Sequence, residues 1–167
     1  MHANSISIMK EFVKRYLPDK ELKILDLGSQ IVKNQKIGSY RPLFKNPKWT
    51  YTGADIVKGK NVDVVIKPYD FPFRNNSYDV VISGQTIEHV EYPWEWFKEL
   101  ARVLKKGGLA CLVAPSVIHE HKYPIDTYRY YPDGMKALAK WSKLTVLETK
   151  RIAADSKTED TYLIAKK

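Results

Sequence analysis

Three groups of residues in this chain have the types and spacing to do chemistry. The densest is Glu120-His121-Lys122-Tyr123-Pro124-Ile125-Asp126-Thr127-Tyr128-Arg129-Tyr130-Tyr131-Pro132. It follows an apolar run that reads as a strand, and loops held by rigid elements carry function disproportionately. In it, His121 can deprotonate a hydroxyl while Asp126 orients the imidazole. Arg129 can hold a carboxylate or phosphate, with Tyr128 beside it as a substrate contact. The bland alternative is an Asp126–Arg129 ion pair that staples the loop, with the tyrosines as packing. The second group is Ile24-Leu25-Asp26-Leu27-Gly28-Ser29-Gln30, an apolar strand that ends in a glycine and a polar loop. In an open α/β sheet, ligands bind outside the carboxyl ends of the strands, where Gly28 exposes backbone N–H groups. The third is Asp55, which lies 29 positions after Asp26 at the end of the next strand. A carboxylate there can accept both hydroxyls of a ribose; otherwise it is a turn aspartate satisfying local N–H groups.

Several classes are disfavoured. A dinucleotide site needs G-x-G-x-x-G at the first turn, and Gly28 is followed by Ser29, Gln30, Ile31 and Val32. A phosphate-binding P-loop needs Gly-Lys-Ser/Thr, which is absent. The net charge of +9 comes from scattered lysines, so a solvated basic surface is expected rather than a nucleic-acid partner. The single cysteine, Cys111, sits in an apolar run and is expected to be a buried structural thiol. No apolar run approaches the roughly 20 residues that cross a bilayer. Lys10, Lys14 and Arg15 accompany Glu11 with no apolar core behind them, so neither a membrane span nor a secretory leader is expected and the cytoplasm is favoured.

The elements that must position these groups follow from periodicity. Ile6, Met9, Phe12, Val13 and Tyr16 predict an amphipathic helix over 5–16, with Ser5 as its cap and Pro18 beyond its end. Residues 23–27, 49–55, 62–66, 78–83 and 109–114 read as strands, with a short helix near 40–45. Only about six residues separate the second and third strands. A parallel crossover needs a dozen or more, so 62–66 is expected at an edge, antiparallel or loosely paired. A helix over 93–104 should bury Trp94, Phe97, Leu100, Ala101 and Leu104, with Lys105-Lys106 at its C-terminus and Gly107-Gly108 ending it. Pro115 should stop the fifth strand. Pro132 should start a helix over 132–141, and 144–149 with 160–165 should close the sheet as an antiparallel pair across a polar loop. At 167 residues a single domain is expected. Its N-terminal 20 residues should pack on the cleft or cap it.

Five segments together resemble a family. They are Ile24-Leu25-Asp26-Leu27-Gly28-Ser29, Tyr51-Thr52-Gly53-Ala54-Asp55-Ile56, Asp70-Phe71-Pro72-Phe73 with Ser77-Tyr78-Asp79-Val80-Val81, Ile87-Glu88-His89-Val90, and Glu99 through Gly108. They look like class I S-adenosylmethionine-dependent methyltransferases, especially small-molecule enzymes of the ubiquinone-biosynthesis type, over roughly residues 20–150. The resemblance implies a three-layer, Rossmann-like α/β fold. Its sheet would be mainly parallel, with six to seven strands and an antiparallel terminal strand. It implies that Asp26, Gly28 and Ser29 wall the methionine part of the cofactor and that Asp55 takes the ribose hydroxyls. Ile56 would pack on the adenine, the 67–70 loop, with Tyr69 and Asp70, would flank it, and Ser83-Gly84-Gln85 would close the sulfonium side. The usual Gly-x-Gly of the first loop is replaced by Ser29-Gln30, so Gly38, in Gly38-Ser39-Tyr40, is assigned the close backbone approach. In some ubiquinone-pathway relatives a Glu-x-x-Glu-His segment binds a divalent metal; Gln85 stands where the first Glu would be. Glu88-His89 is therefore read as a structural pair with no metal, and His89 as a substrate contact.

The expectation is a methyltransferase using S-adenosyl-L-methionine, with S-adenosyl-L-homocysteine as product. The acceptor is a small polar molecule, sugar-like or anionic, methylated on oxygen in saccharide or secondary-metabolite biosynthesis. N-methylation, or a non-catalytic module of the same fold that binds a partner or nucleic acid, is the alternative, and a homodimer is left open.

Overall fold

The apolar run Ile24–Leu27 becomes the inner strand of a seven-stranded sheet, which is why its side chains are buried on both faces. The computed structural model describes residues 3–32, 38–153 and 158–167. In chain order the strands are β1 (Leu22–Leu27), β2 (Trp49–Asp55), β3 (Val64–Val65), β4 (Tyr78–Gly84), β5 (Leu104–Val117), β6 (Thr145–Ala153) and β7 (Glu159–Lys166). Their order across the sheet is β3-β2-β1-β4-β5-β7-β6. All pairs are parallel except those of β7, which runs antiparallel to both β5 and β6. The expected α/β, Rossmann-like architecture with one antiparallel terminal strand is the one observed. Part of the polar loop between β6 and β7, residues 154–157, lies outside the described residues, as does the 33–37 part of the loop after β1.

Two apolar cores flank the sheet. On one face Met9 and Phe12 of α1 (Ala3–Tyr16) meet Ile24, Val80, Cys111 and Ile164, together with Tyr40 and Phe44. On the other, α2 (Pro93–Val103) and α3 (Pro132–Trp141) cover Leu25, Leu27, Val81 and Leu112. Cys111 is buried, as expected, and burial pushes its thiol pKa up. No helix among the described residues is long and apolar enough to cross a membrane.

Several local expectations are corrected. β3 is an edge strand but runs parallel to β2, Ala54 opposite Val64 and Asp55 opposite Val65. The connection has to step back over only the last two residues of β2, about 7 Å at a strand's rise, so no helical crossover is needed. Ser5 lies inside α1 rather than capping it, and its hydroxyl bonds the buried Tyr40 hydroxyl. Trp96, not Trp94, is the inward tryptophan of α2; Trp94 is exposed. That helix ends at Val103, because Leu104 is already extended and pairs with Tyr78. Lys105 therefore does not complement a helix end. It bonds both carboxylate oxygens of Asp79 at 2.8 Å across a register shift that Gly107, at φ 77°, helps to form. Pro115 does not stop β5, which runs on through a second irregularity to Val117.

Candidate functional site

Gly28, Asp55 and Gly84 all lie at the C-terminal ends of neighbouring strands, and the backbone between them is closely interlocked. Gly28 has φ 79°, a conformation that L side chains rarely adopt, and a Cβ there would lie 2.0 Å from Oγ1 of Thr86. Its N–H and that of Ser29 both donate to the Ala54 carbonyl, at 2.8 and 3.1 Å. Ser29 Oγ donates to the Asn61 carbonyl at 3.0 Å, and Asn61 Nδ2 returns a bond to the Ser29 carbonyl at 2.8 Å. Asn61 itself has φ 73°, and Gly53 faces its carbonyl so closely that a Cβ would come within 2.1 Å. The first loop is thus tied to the loop after β2 without a second glycine at position 30. Gly38 packs against Ile31, with its Cβ direction 3.0 Å from that side chain. The missing Gly-x-Gly is replaced by hydrogen bonds through Ser29 and Asn61, which only the folded chain reveals.

Asp55 accepts the Gln30 N–H at 3.0 Å on one oxygen and the Val57 N–H at 3.3 Å on the other. Each oxygen keeps a further lone pair, so the local role does not compete with two ribose hydroxyls. Ile56, next to it, is exposed, an apolar surface at the rim where a planar ring can pack. Tyr69 is half-buried beneath Tyr92, whose N–H it accepts at 3.2 Å. Asp70 is exposed, in a tight turn with Lys67. Ser83 Oγ donates to the Leu27 carbonyl at 2.6 Å and pins β4 to β1. Gly84 lets the Tyr40 hydroxyl approach; a Cβ would sit 1.8 Å from that oxygen. Gln85 adopts φ 57° and turns its amide to Asp160 of β7 at 2.8 Å.

Asp26 does not reach the rim directly. It is buried on the α1 face of β1, beside Tyr51, whose hydroxyl donates to it. Burial raises its carboxyl to about 7, the Tyr51 bond opposing the shift. A carboxyl whose folded pKa exceeds its unfolded value holds a proton that the unfolded chain has released. Its contribution to stability is therefore complete below about pH 4 and is lost as pH rises toward 7. Asp26→Asn should remove that slope. Between pH 5 and 8 its melting temperature should fall less than that of the wild type, and parallel curves would refute the assignment.

The loop after β5, residues 118–131, docks on the turn after β4. Thr127 N and Oγ1 both donate to the Glu88 carbonyl at 2.7 Å, and Tyr130 donates to the Ile87 carbonyl at 3.0 Å. Two sequence expectations change here. Arg129 donates to both oxygens of Asp126, at 2.6 and 2.7 Å, and to the carbonyls of Tyr128, His119 and Ile118. Its five N–H donors are all used within the loop, so it is the staple rather than an anion-holding substrate contact. Asp126 accepts these bonds and the His121 backbone N–H at 2.6 Å, while its carboxylate stays 3.7 Å from His121 Nδ1. It positions the loop and does not orient the imidazole; Arg129 holds it well below the usual carboxylate range. Tyr128 donates to the Glu91 carbonyl at 3.2 Å and remains partly exposed.

The docking brings together residues far apart in sequence. Glu88 is fully buried with neither carboxylate oxygen hydrogen-bonded, and burial raises its carboxyl to about 8. His89 Nε2 lies 3.7 Å from it, and the His89 and His121 rings meet edge to face with centroids 5.0 Å apart. Burial lowers the His89 pKa, favouring the neutral ring. The sequence signal for this cluster was Glu88-His89 alone; the pairing with His121 depends on how the second loop folds back.

The comparisons agree with the architecture. Residues 38–112 match the family model described as a methyltransferase domain. An uncharacterized methyltransferase of Mycobacterium avium is 44% identical over 41 residues, which are 25% of this chain and 16% of that relative's length. Phosphoethanolamine N-methyltransferase 2 of Haemonchus contortus, solved with S-adenosyl-L-methionine, superposes with a TM-score of 0.74 at 16% identity. The match covers 98% of this chain and 52% of that one. The fold is that of S-adenosylmethionine-dependent methyltransferases. One such methyltransferase from Aquifex aeolicus matches at nearly full length, with a TM-score of 0.69, 18% identity and coverage of 97% of this chain and 92% of that one. In a methyltransferase fold the rim built from Gly28, Asp55 and Ser83-Gly84-Gln85 occupies the carboxyl ends of β1, β2 and β4, the general position for a ligand in an open α/β sheet.

Proposed function

We propose that the protein is an S-adenosylmethionine-dependent methyltransferase acting on a small polar acceptor, most simply by O-methylation. The observation that carries this reading is Asp55. It sits at the carboxyl end of β2 with a free lone pair on each oxygen, an exposed Ile56 beside it and the left-handed Gly28 across from it. That set suits a ribose with a purine on one side and an extended, charged chain on the other. Gly28, Ser29, Gln30 and Gly38 would form the wall along the methionine part, with the buried Asp26 behind them, and Ser83-Gly84-Gln85 the side nearest the sulfonium. Tyr69 and Asp70 would flank the adenine. The reaction is an in-line displacement: the acceptor oxygen forms a bond to the methyl carbon as the sulfonium sulfur takes the electron pair of the breaking S–C bond. The methyl is already electrophilic, so the protein supplies alignment and a path for the acceptor's proton. The Glu88–His89–His121 cluster, on the turn after β4 and the loop after β5, is the group of residues suited to the latter.

Asp55→Ala tests the cofactor assignment. Titration calorimetry should show S-adenosylmethionine binding to the wild type and about tenfold or weaker binding to the variant, as expected for losing charge-assisted bonds to two hydroxyls. Unchanged affinity would overturn the ribose role. Absence of wild-type binding at millimolar cofactor would overturn the function.

A further inference from the structure

Glu88, His89 and His121 each present one donor atom, and these atoms all lie within 4.8 Å of one another. Their surroundings are those of a ligand set held in advance. His89 Nδ1 is 2.6 Å from the Ile125 carbonyl and His121 Nδ1 is 3.2 Å from the His119 carbonyl. Two acceptors cannot bond each other, so each Nδ1 carries the ring proton and each Nε2 keeps a lone pair. That is how the outer partner of a metal-bound imidazole fixes its tautomer and direction. The third member, Glu88, is buried completely, and its two oxygens have no hydrogen-bond partner. A buried carboxylate without partners is costly, and a cation between it and the two rings would satisfy it. Gln85, three residues earlier and in a left-handed conformation, is not part of this set: its amide is committed to Asp160. The third donor comes instead from the loop after β5, held by the Arg129–Asp126 staple directly beside His121.

We propose that Glu88, His89 and His121 form a binding site for a divalent first-row transition metal. Two imidazoles and one carboxylate suit zinc, iron or cobalt better than magnesium or calcium, which take oxygen ligands. Three protein ligands leave at least one position open, and His121, a quarter exposed, marks the side from which metal and acceptor enter. The site's use in catalysis rests on the methyltransferase reading. An acceptor hydroxyl bound at the open position loses its proton to solvent more readily, and the resulting oxyanion attacks the methyl. His121 then serves as a ligand, and no separate base is required.

The test is a titration of chelator-treated full-length protein with Co²⁺, followed by its visible absorption. One Co²⁺ per chain is expected, undiminished by millimolar Mg²⁺ and displaced by Zn²⁺. Glu88→Gln and His121→Ala should each weaken binding at least tenfold, since changes to mere outer-shell partners already cost about 10–100-fold. His119→Ala, which keeps the backbone carbonyl, should bind as the wild type does. No saturable signal, or a signal that survives His121→Ala, would overturn the site; His121 is at the protein's edge, so this variant is informative even if Glu88→Gln does not fold. S-adenosylmethionine calorimetry on the same samples separates the two ideas. Cofactor binding without Co²⁺ binding overturns the metal site alone. Co²⁺ binding without cofactor binding overturns the enzyme reading alone.

Discussion

Replacing Gly28 by alanine should lower both the stability of the protein and its affinity for S-adenosylmethionine. Two costs add. At φ 79° an L-residue pays about 1–2 kcal/mol for the left-handed conformation. The new Cβ would also lie 2.0 Å from Thr86 Oγ1, 2.4 Å from its Cγ2 and 2.7 Å from its Cβ, so the β1–loop junction or the turn after β4 must move. Crowding of that kind costs about 1–3 kcal/mol. Together they amount to about 3 kcal/mol, or a melting temperature lower by roughly 6–12 °C for a chain of this size. The movement would displace Gly28 and Ser29 N–H groups from Ala54 and shift the rim. A displacement of about 1 Å at a reacting centre can cost roughly 10²-fold in rate. A double-mutant cycle separates the terms. Thr86→Ala removes the two nearest atoms but not the Cβ at 2.7 Å, so it should rescue little. Thr86→Gly removes all three and should restore the steric share while leaving the conformational one. Wild-type melting and binding in Gly28→Ala would show that neither constraint operates.

Gly28 also shows what could be read from sequence and what could not. A glycine that ends an apolar run signals a turn at a strand's carboxyl end, because local conformation and periodicity are local properties. For the same reason β1, β2, β4, α2 and α3 were placed to within a residue or two, and α1 was recognised with its start two residues late. What occupies the space around that glycine is not local. Thr86 lies beyond the far end of β4 and meets Gly28 only because β1 and β4 are parallel neighbours. The same limit explains β3. Counting residues in its connection puts it at an edge but does not fix its direction, since the register of pairing, which sets how far the chain must return, is a tertiary quantity. The site divides along this line. Asp55 is legible because its chemistry depends on a position at a strand end. The roles of Asp126, Arg129 and His121 depend on which of several nearby partners each group finds. In that loop the arginine and the backbone outcompete the imidazole for the carboxylate. Glu88 and His121 are 33 positions apart and meet only once Thr127 has bonded the Glu88 carbonyl.

Arg129→Ala should be the other strongly disruptive substitution, and its effect identifies the staple. The Asp126 side chain is almost wholly buried, and apart from Arg129 its hydrogen bond is the His121 N–H. Removing the guanidinium leaves an ionised carboxylate inside the protein and takes the side-chain donor from the carbonyls of Ile118 and Tyr128, while His119 keeps the His121 ring as its donor. With the guanidinium itself about a quarter exposed, losing these charge-assisted bonds costs about 1.5–3 kcal/mol. Lysine at 129 has three donors on a flexible stem and should recover only part of the loss. Removing both partners, Asp126→Ala with Arg129→Ala, should be less damaging than Arg129→Ala alone, because no unpaired charge remains. The pH dependence has a definite sign. Asp126 has a folded pKa below its unfolded value, so its stabilisation is present above about pH 4 and is lost only as pH falls through the folded value. The wild type should thus keep this contribution at pH 4, while Arg129→Ala should lack it at every pH above that. Affinity for S-adenosylmethionine should change less than twofold in the single variant, since Arg129 spends its donors inside the loop after β5 and Asp55 lies at the end of β2. Co²⁺ affinity should fall, because the freed loop no longer holds His121 toward Glu88 and His89. An anion-binding arginine would give the opposite pattern: a raised KM for the acceptor at unchanged melting temperature. Thermal melts and kinetics on Arg129→Ala and Arg129→Lys distinguish the two.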